Sequence, residues 1–122
     1  MKKMSKQERE HQQIEYAVNA VLTKAEKENC KIVGISSCLG LEREIEWFCQ
    51  KCNNRSNEKK KAITIRGLES IISYAEALEE AKKCDAIILM EKYTMTNYAM
   101  IENAMEYFDR MDVKLLGVIS IK

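Results

Sequence analysis

A chain of 122 residues with 46% apolar residues suits one domain around one core. Its 20 basic and 19 acidic residues lack the concentrated basic excess of a nucleic-acid backbone binder, so no nucleic-acid partner is expected. No apolar run approaches the ~20 residues that cross a bilayer, which speaks against direct membrane insertion.

The opening Met1-Lys2-Lys3-Met4-Ser5-Lys6-Gln7-Glu8 is charged and has no apolar run behind it, unlike a signal peptide. Five cysteines, an odd number in an ordinary composition, fit a reducing cytoplasm better than a disulfide scaffold. With no proline in the chain, no Pro-rich linker divides it. One α/β domain over residues 1–122 is expected, with a flexible N-terminal arm at about 1–12.

Taken in chain order, Ile14, Val18, Val21, Leu22 and Ala25 form the stripe of a helix with one buried face. Residues 31–36 are short and β-branched, a first strand, and a small-residue turn follows at Ser37-Cys38-Leu39-Gly40. Residues 41–50 have a helical pattern that Asn53-Asn54-Arg55-Ser56-Asn57 is expected to break. Lys59-Lys60-Lys61 reads as a solvated loop into a second strand at 62–65. Gly67 then turns the chain into a helix over 69–83, burying Leu68, Ile71, Ile72, Ala75, Leu78 and Ala81. A third strand at 85–90 is nearly all apolar. Thr96 or Asn97 caps a helix to Met111 with Tyr98, Ile101, Met105 and Phe108 inward, and a fourth strand spans 114–121.

Strands alternating with helices, and apolar on both faces, predict a three-layer α/β sandwich with a parallel four-stranded sheet. A ligand of such a sheet sits beyond the carboxyl ends of the strands. Here that edge is built from residues 36–40, Arg66 and Gly67, and residues 91–96.

The loop after the first strand stands where P-loop proteins cradle phosphate. That chemistry needs glycines whose N–H groups converge on an anion, a lysine, and a Ser or Thr hydroxyl for Mg²⁺. This chain offers Gly40, with Arg43 in the lysine position and Glu44 in the hydroxyl position. A carboxylate there repels phosphate, and arginine is no neutral exchange for lysine.

In Ser36, Ser37, Gly40, Leu41, Glu42, Arg43 and Glu44 the chain resembles the bacterial tyrosine kinases of capsule and exopolysaccharide synthesis, relatives of the MinD and ParA type ATPases. The C-terminal half is also similar, in Glu76-Ala77-Leu78, the strand opening at Asp85-Ala86, Thr94 or Thr96, and Leu115-Leu116-Gly117-Val118. The resemblance implies a truncated P-loop NTPase-like fold. It also implies a vestigial phosphate loop, with Arg66 where the Walker B aspartate belongs. The family's Asp-x-Asp motif and C-terminal tyrosine cluster have no counterpart. Phosphoryl transfer is mostly positioning and charge neutralisation, so these departures imply a pseudo-enzyme with no cofactor.

Cys49-Gln50-Lys51-Cys52 is the one CxxC. A redox pair sits at a helix N-terminus, whereas this one falls near the end of its expected helix. Structural zinc wants a second close pair, which is missing, so no metal is expected. Cys30, Cys38 and Cys84 read as small hydrophobes. Ser37 at a strand-to-helix turn suggests a nucleophile, but the one histidine, His11, lies far upstream. Trp47, Tyr93, Met95 and Tyr98 are the candidates for an interface.

The expected function is therefore a non-catalytic interaction or regulatory module, contacting a second copy or a polysaccharide-synthesis membrane protein. A weak nucleotide or anion binder without turnover and a CxxC redox or metal protein are the competing readings.

Overall fold

The computed structural model describes residues 5–93 and 95–121, so Thr94 and the first four residues of the expected arm lie outside the described residues. The elements in chain order are α1 (Lys6–Lys27), β1 (Ile32–Ser36), α2 (Glu42–Glu58), β2 (Thr64–Gly67), α3 (Ala75–Lys82), β3 (Ala86–Lys92), α4 (Tyr98–Arg110) and β4 (Leu115–Ile121). All four strands pair in parallel in the order β2-β1-β3-β4. Helices α1 and α2 cover one face and α3 and α4 the other, which makes three layers.

β3 runs through the middle of both cores. Its Ala86, Ile88 and Met90 face α1 and α2, while Ile87 and Leu89 face α3 and α4. That alternation is why the strand reads as continuously apolar. Beside it, Gly34 of β1 is bare by necessity: a Cβ there would lie 2.7 Å from Leu68 Cδ1 and 2.8 Å from Ile87 Cδ1.

Several elements depart from the sequence expectations, each for a local reason. α1 begins at Lys6, so residues 6–12 are helical where an arm was expected. Ser5 caps it, its Oγ accepting the Glu8 N–H at 3.1 Å. α2 continues through 53–57 because its polar residues find tertiary partners. Asn53 accepts the Ile65 N–H at 2.8 Å and donates to the Ile65 carbonyl at 2.9 Å, and Ser56 donates to the Lys61 and Ile63 carbonyls. Arg55 pairs with Glu15 of α1, and Lys61 pairs with Glu26.

β2 starts two residues later than expected, which puts Arg66 inside the strand opposite Gly34 rather than beyond its end. α3 is shortened to eight residues, because 70–74 turn back on themselves through the Ser73 and Tyr74 N–H groups on the Ser70 carbonyl. Ile71 is buried by that turn, while Ile72 and Ala75 stay exposed. Asn97 caps α4, accepting the Met100 N–H at 2.9 Å. The inward face of α4 is Ile101, Ala104 and Phe108, while Tyr98 and Met105 point outward.

At the opposite edge, the Asp85 carboxylate accepts the N–H groups of Lys31 and Ile32 at 2.7 and 2.9 Å. Those two bonds hold its carboxyl below the usual value. Its stabilising contribution is thus present above the ordinary carboxylate range and is lost as pH falls through the depressed value. In urea titrations the stability gap between the native chain and Asp85→Ala should be constant above pH ~5 and close below pH ~4. Asn53→Ala, which removes both bonds to Ile65, should lower the unfolding free energy by about 1–2 kcal/mol with an unchanged denaturant slope.

Candidate functional site

The strand order reverses between β1 and β3, since α2 carries the chain from β1 outward to β2 and α3 brings it back past β1 to β3. Loops at the carboxyl ends of such a pair diverge and leave the crevice where open α/β sheets bind ligands. The loop from Ser37 to Leu41 sits at that point. Gly40 has φ +67°, a left-handed conformation that a Cβ would strain, so this glycine is required by the turn itself.

The crevice is filled by the chain's own acid. Glu91, near the end of β3, is 1% exposed. Its Oε1 accepts the Cys38 N–H at 2.7 Å. Its Oε2 accepts the Thr96 hydroxyl at 2.7 Å and the Ser37 hydroxyl at 3.2 Å. Ser37 Oγ in turn accepts the Leu39 N–H at 3.1 Å. In a phosphate loop the backbone N–H groups and a hydroxyl converge on a ligand anion. Here a loop N–H and two hydroxyls converge on an internal carboxylate.

Ser36 and Ser37 are both buried, and Ser36 is already committed: its hydroxyl donates to the Glu69 carbonyl at 2.8 Å and accepts the Ile71 N–H at 3.3 Å. Arg43 is exposed on the first turn of α2. Glu44 pairs with Lys92 at 3.5 Å, and Glu42 shares its turn, so acids occupy the helix N-terminus. Arg66 does not join the loop.

Trp47, Tyr93, Met95 and Tyr98 are all exposed. Trp47 and Tyr93 border a groove of about 540 Å³ between α1, α2 and the ends of β3 and β4, floored by Phe48, Met90 and Ile119. Met95 and Tyr98 do not line it. Lys51 lies over the Trp47 ring at 4.9 Å.

The CxxC lies in mid-helix, not at the end of α2 as expected, and faces the core. Cys49 and Cys52 are buried free thiols, both pushed up to about 12, chiefly by burial. Among the described residues, no three His, Cys, Asp or Glu side chains gather to hold a metal ion.

Sequence reasoning placed Glu91 on the ligand edge with residues 91–96 but gave it no part in the loop. The available signal was a single acid closing a continuous apolar strand, at the same sheet edge as a small-residue turn. Only the parallel pairing of β1 with β3, Ser36 opposite Leu89, brings the two together.

No family model, curated protein or solved structure matches the chain.

Glu91→Ala strands the Cys38 N–H and both hydroxyls in a site without an acceptor, and should cost on the order of 3 kcal/mol in urea unfolding. Cys49 and Cys52 should resist a thiol-specific reagent at neutral pH and react only at the rate of global unfolding, read by mass spectrometry of the labelled peptides.

Proposed function

We propose that this chain is a non-catalytic, P-loop-like module that acts through contacts with other proteins. The observation that carries the reading is the Glu91 carboxyl group bound to the Cys38 N–H at 2.7 Å, an internal acceptor where a phosphate loop would hold its ligand. A nucleotide would have to displace that buried acid, and would then meet Arg43 in place of the lysine and Glu44 in place of the Mg²⁺-binding hydroxyl, with Glu42 beside them at the helix N-terminus. Like-charge repulsion opposes both steps.

The resemblance to the capsule and exopolysaccharide-synthesis kinases supplies the proposed setting. The module is a pseudo-enzyme of that machinery, at the cytoplasmic side, reaching the membrane through a polysaccharide-synthesis membrane protein. Among the described residues no helix is long and apolar enough to cross a membrane, so attachment by a partner fits the reading. The buried, high-pKa cysteine pair favours packing over redox chemistry.

With Mg²⁺ present, ATP and ADP should leave the thermal unfolding midpoint unchanged, and phosphate release from ATP should stay at background. Calorimetric titration with ATP should likewise give no saturable heat. A saturable nucleotide-dependent shift, or turnover that disappears in Arg43→Ala, would overturn the proposal.

A further inference from the structure

The two edges of the sheet are treated differently. The Thr64 N–H at the start of β2 bonds the Lys31 carbonyl, and the Leu68 N–H just past its end bonds the Ile35 carbonyl, so by alternation Ile65 turns its backbone groups outward. Asn53 occupies both of those groups, so another strand cannot pair through the middle of this edge. β4 has no such guard. It pairs with β3 alone, and its residues Leu115–Ile121 include no charge and no proline.

A bulge at the start of β4 leaves Gly117–Ile121 as its regular run. The Ile121 carbonyl accepts the Tyr93 N–H at 2.8 Å, so residues 121, 119 and 117 bond inward. Val118 and Ser120 therefore present their N–H and C=O groups outward, and both are exposed.

We propose that two copies of this chain pair through the outer edges of β4, antiparallel about Ile119, into one continuous sheet with four strands from each copy. In that register Val118 of one copy faces Ser120 of the other, and each such pair exchanges both backbone hydrogen bonds. Ile119 meets its own equivalent in the close, non-hydrogen-bonded position, where apolar cross-strand contact is strongest. The register uses only outward-facing groups and breaks nothing in the fold.

Charge on α1 selects a second copy as the occupant. α1 runs alongside β4 in the opposite direction: Glu28 pairs with Lys114 at 3.0 Å, while Glu10 and Ala17 line the groove beside Ile119 and Ile121. Glu10, Ala17 and Lys24 are spaced by seven residues and so share one flank of the helix; Glu15 and Glu26 on the other flank reach Arg55 and Lys61 on the α2 side, which turns the first flank toward the open edge. Among the described residues neither Glu10 nor Lys24 forms an ion pair. A two-fold axis through Ile119 passes near Ala17, which is small enough for a second helix to approach. It sets Glu10 of each copy against Lys24 of the other. This inference stands on the β4 edge and is independent of whether the loop binds nucleotide.

The test is sedimentation velocity of the full chain across micromolar concentrations, with circular dichroism to confirm folding. The native chain should be a dimer. Ser120→Pro, which removes an outward N–H, and Val118→Lys, which places a charge on the edge, should each yield a folded monomer. Two variants guard against one failing to fold. Glu10→Lys should weaken the dimer about three- to tenfold, and Glu10→Lys with Lys24→Glu should restore it, since the reciprocal pairs are then rebuilt. A native chain that stays monomeric at high micromolar concentration overturns the proposal. So does a dimer that tolerates both β4 variants, or a double swap without recovery.

Discussion

Three separate stretches of chain meet on the Glu91 carboxylate: the loop after β1, the end of β3 and the turn leading into α4. A buried acid is tolerable only where its oxygens are supplied with donors, and the Cys38 N–H and the Ser37 and Thr96 hydroxyls supply them. The dependence runs both ways, because those donors would otherwise face an apolar interior without a partner. Ser36 makes a parallel tie on the neighbouring loop, through the Glu69 carbonyl and the Ile71 N–H. The carboxyl edge of this sheet is therefore knitted by its own side chains. Donors that serve ligands in open α/β sheets serve the fold here, and one set of donors cannot do both at once.

The sheet that carries this edge is stabilised mainly by burial. β3 lies between neighbours on both sides and helices on both faces, so Ile87, Leu89 and Met90 are almost fully covered. Burying side chains of this size contributes roughly 1.5–3 kcal/mol each. The outer strands depend on what covers them. Asn53 guards β2 at Ile65, whereas β4 has α1 on one face and an open row of backbone groups. The asymmetry follows from the packing, since α2 lies against β2 and its Asn53 reaches the outward groups of Ile65.

Composition and periodicity carried the architecture far. Alternating β-branched and amphipathic runs located the four strands to within about two residues of 32, 64, 86 and 115 and implied the three layers, because burial on both faces leaves a continuous apolar run that can be read directly. Helix ends were harder. Residues 53–57 look like a break because Asn and Ser compete for backbone bonds in isolation, yet here Asn53 and Ser56 spend their side chains on the β2 segment. The opposite error occurred at 69–74, where an apolar pattern resembling a helix is a turn locked to Ser36. Arg66 was displaced from the loop edge by the same two-residue shift of β2.

The sequence by itself determined the parallel α/β class, the small-residue turn at the end of β1, and the arginine and acids that open the helix after it. Those properties are local: they follow from residue type and short-range spacing. Tertiary structure decided what fills the loop, which edge of the sheet is guarded, and that the CxxC thiols face the core. Each of these joins residues far apart in the chain, as Cys38 and Glu91 or Asn53 and Ile65 are joined. A carboxylate at the end of an apolar strand has no readable role until the strand beside it is known, because its partners are donors on another segment. Strand pairing is what brings them within hydrogen-bond reach.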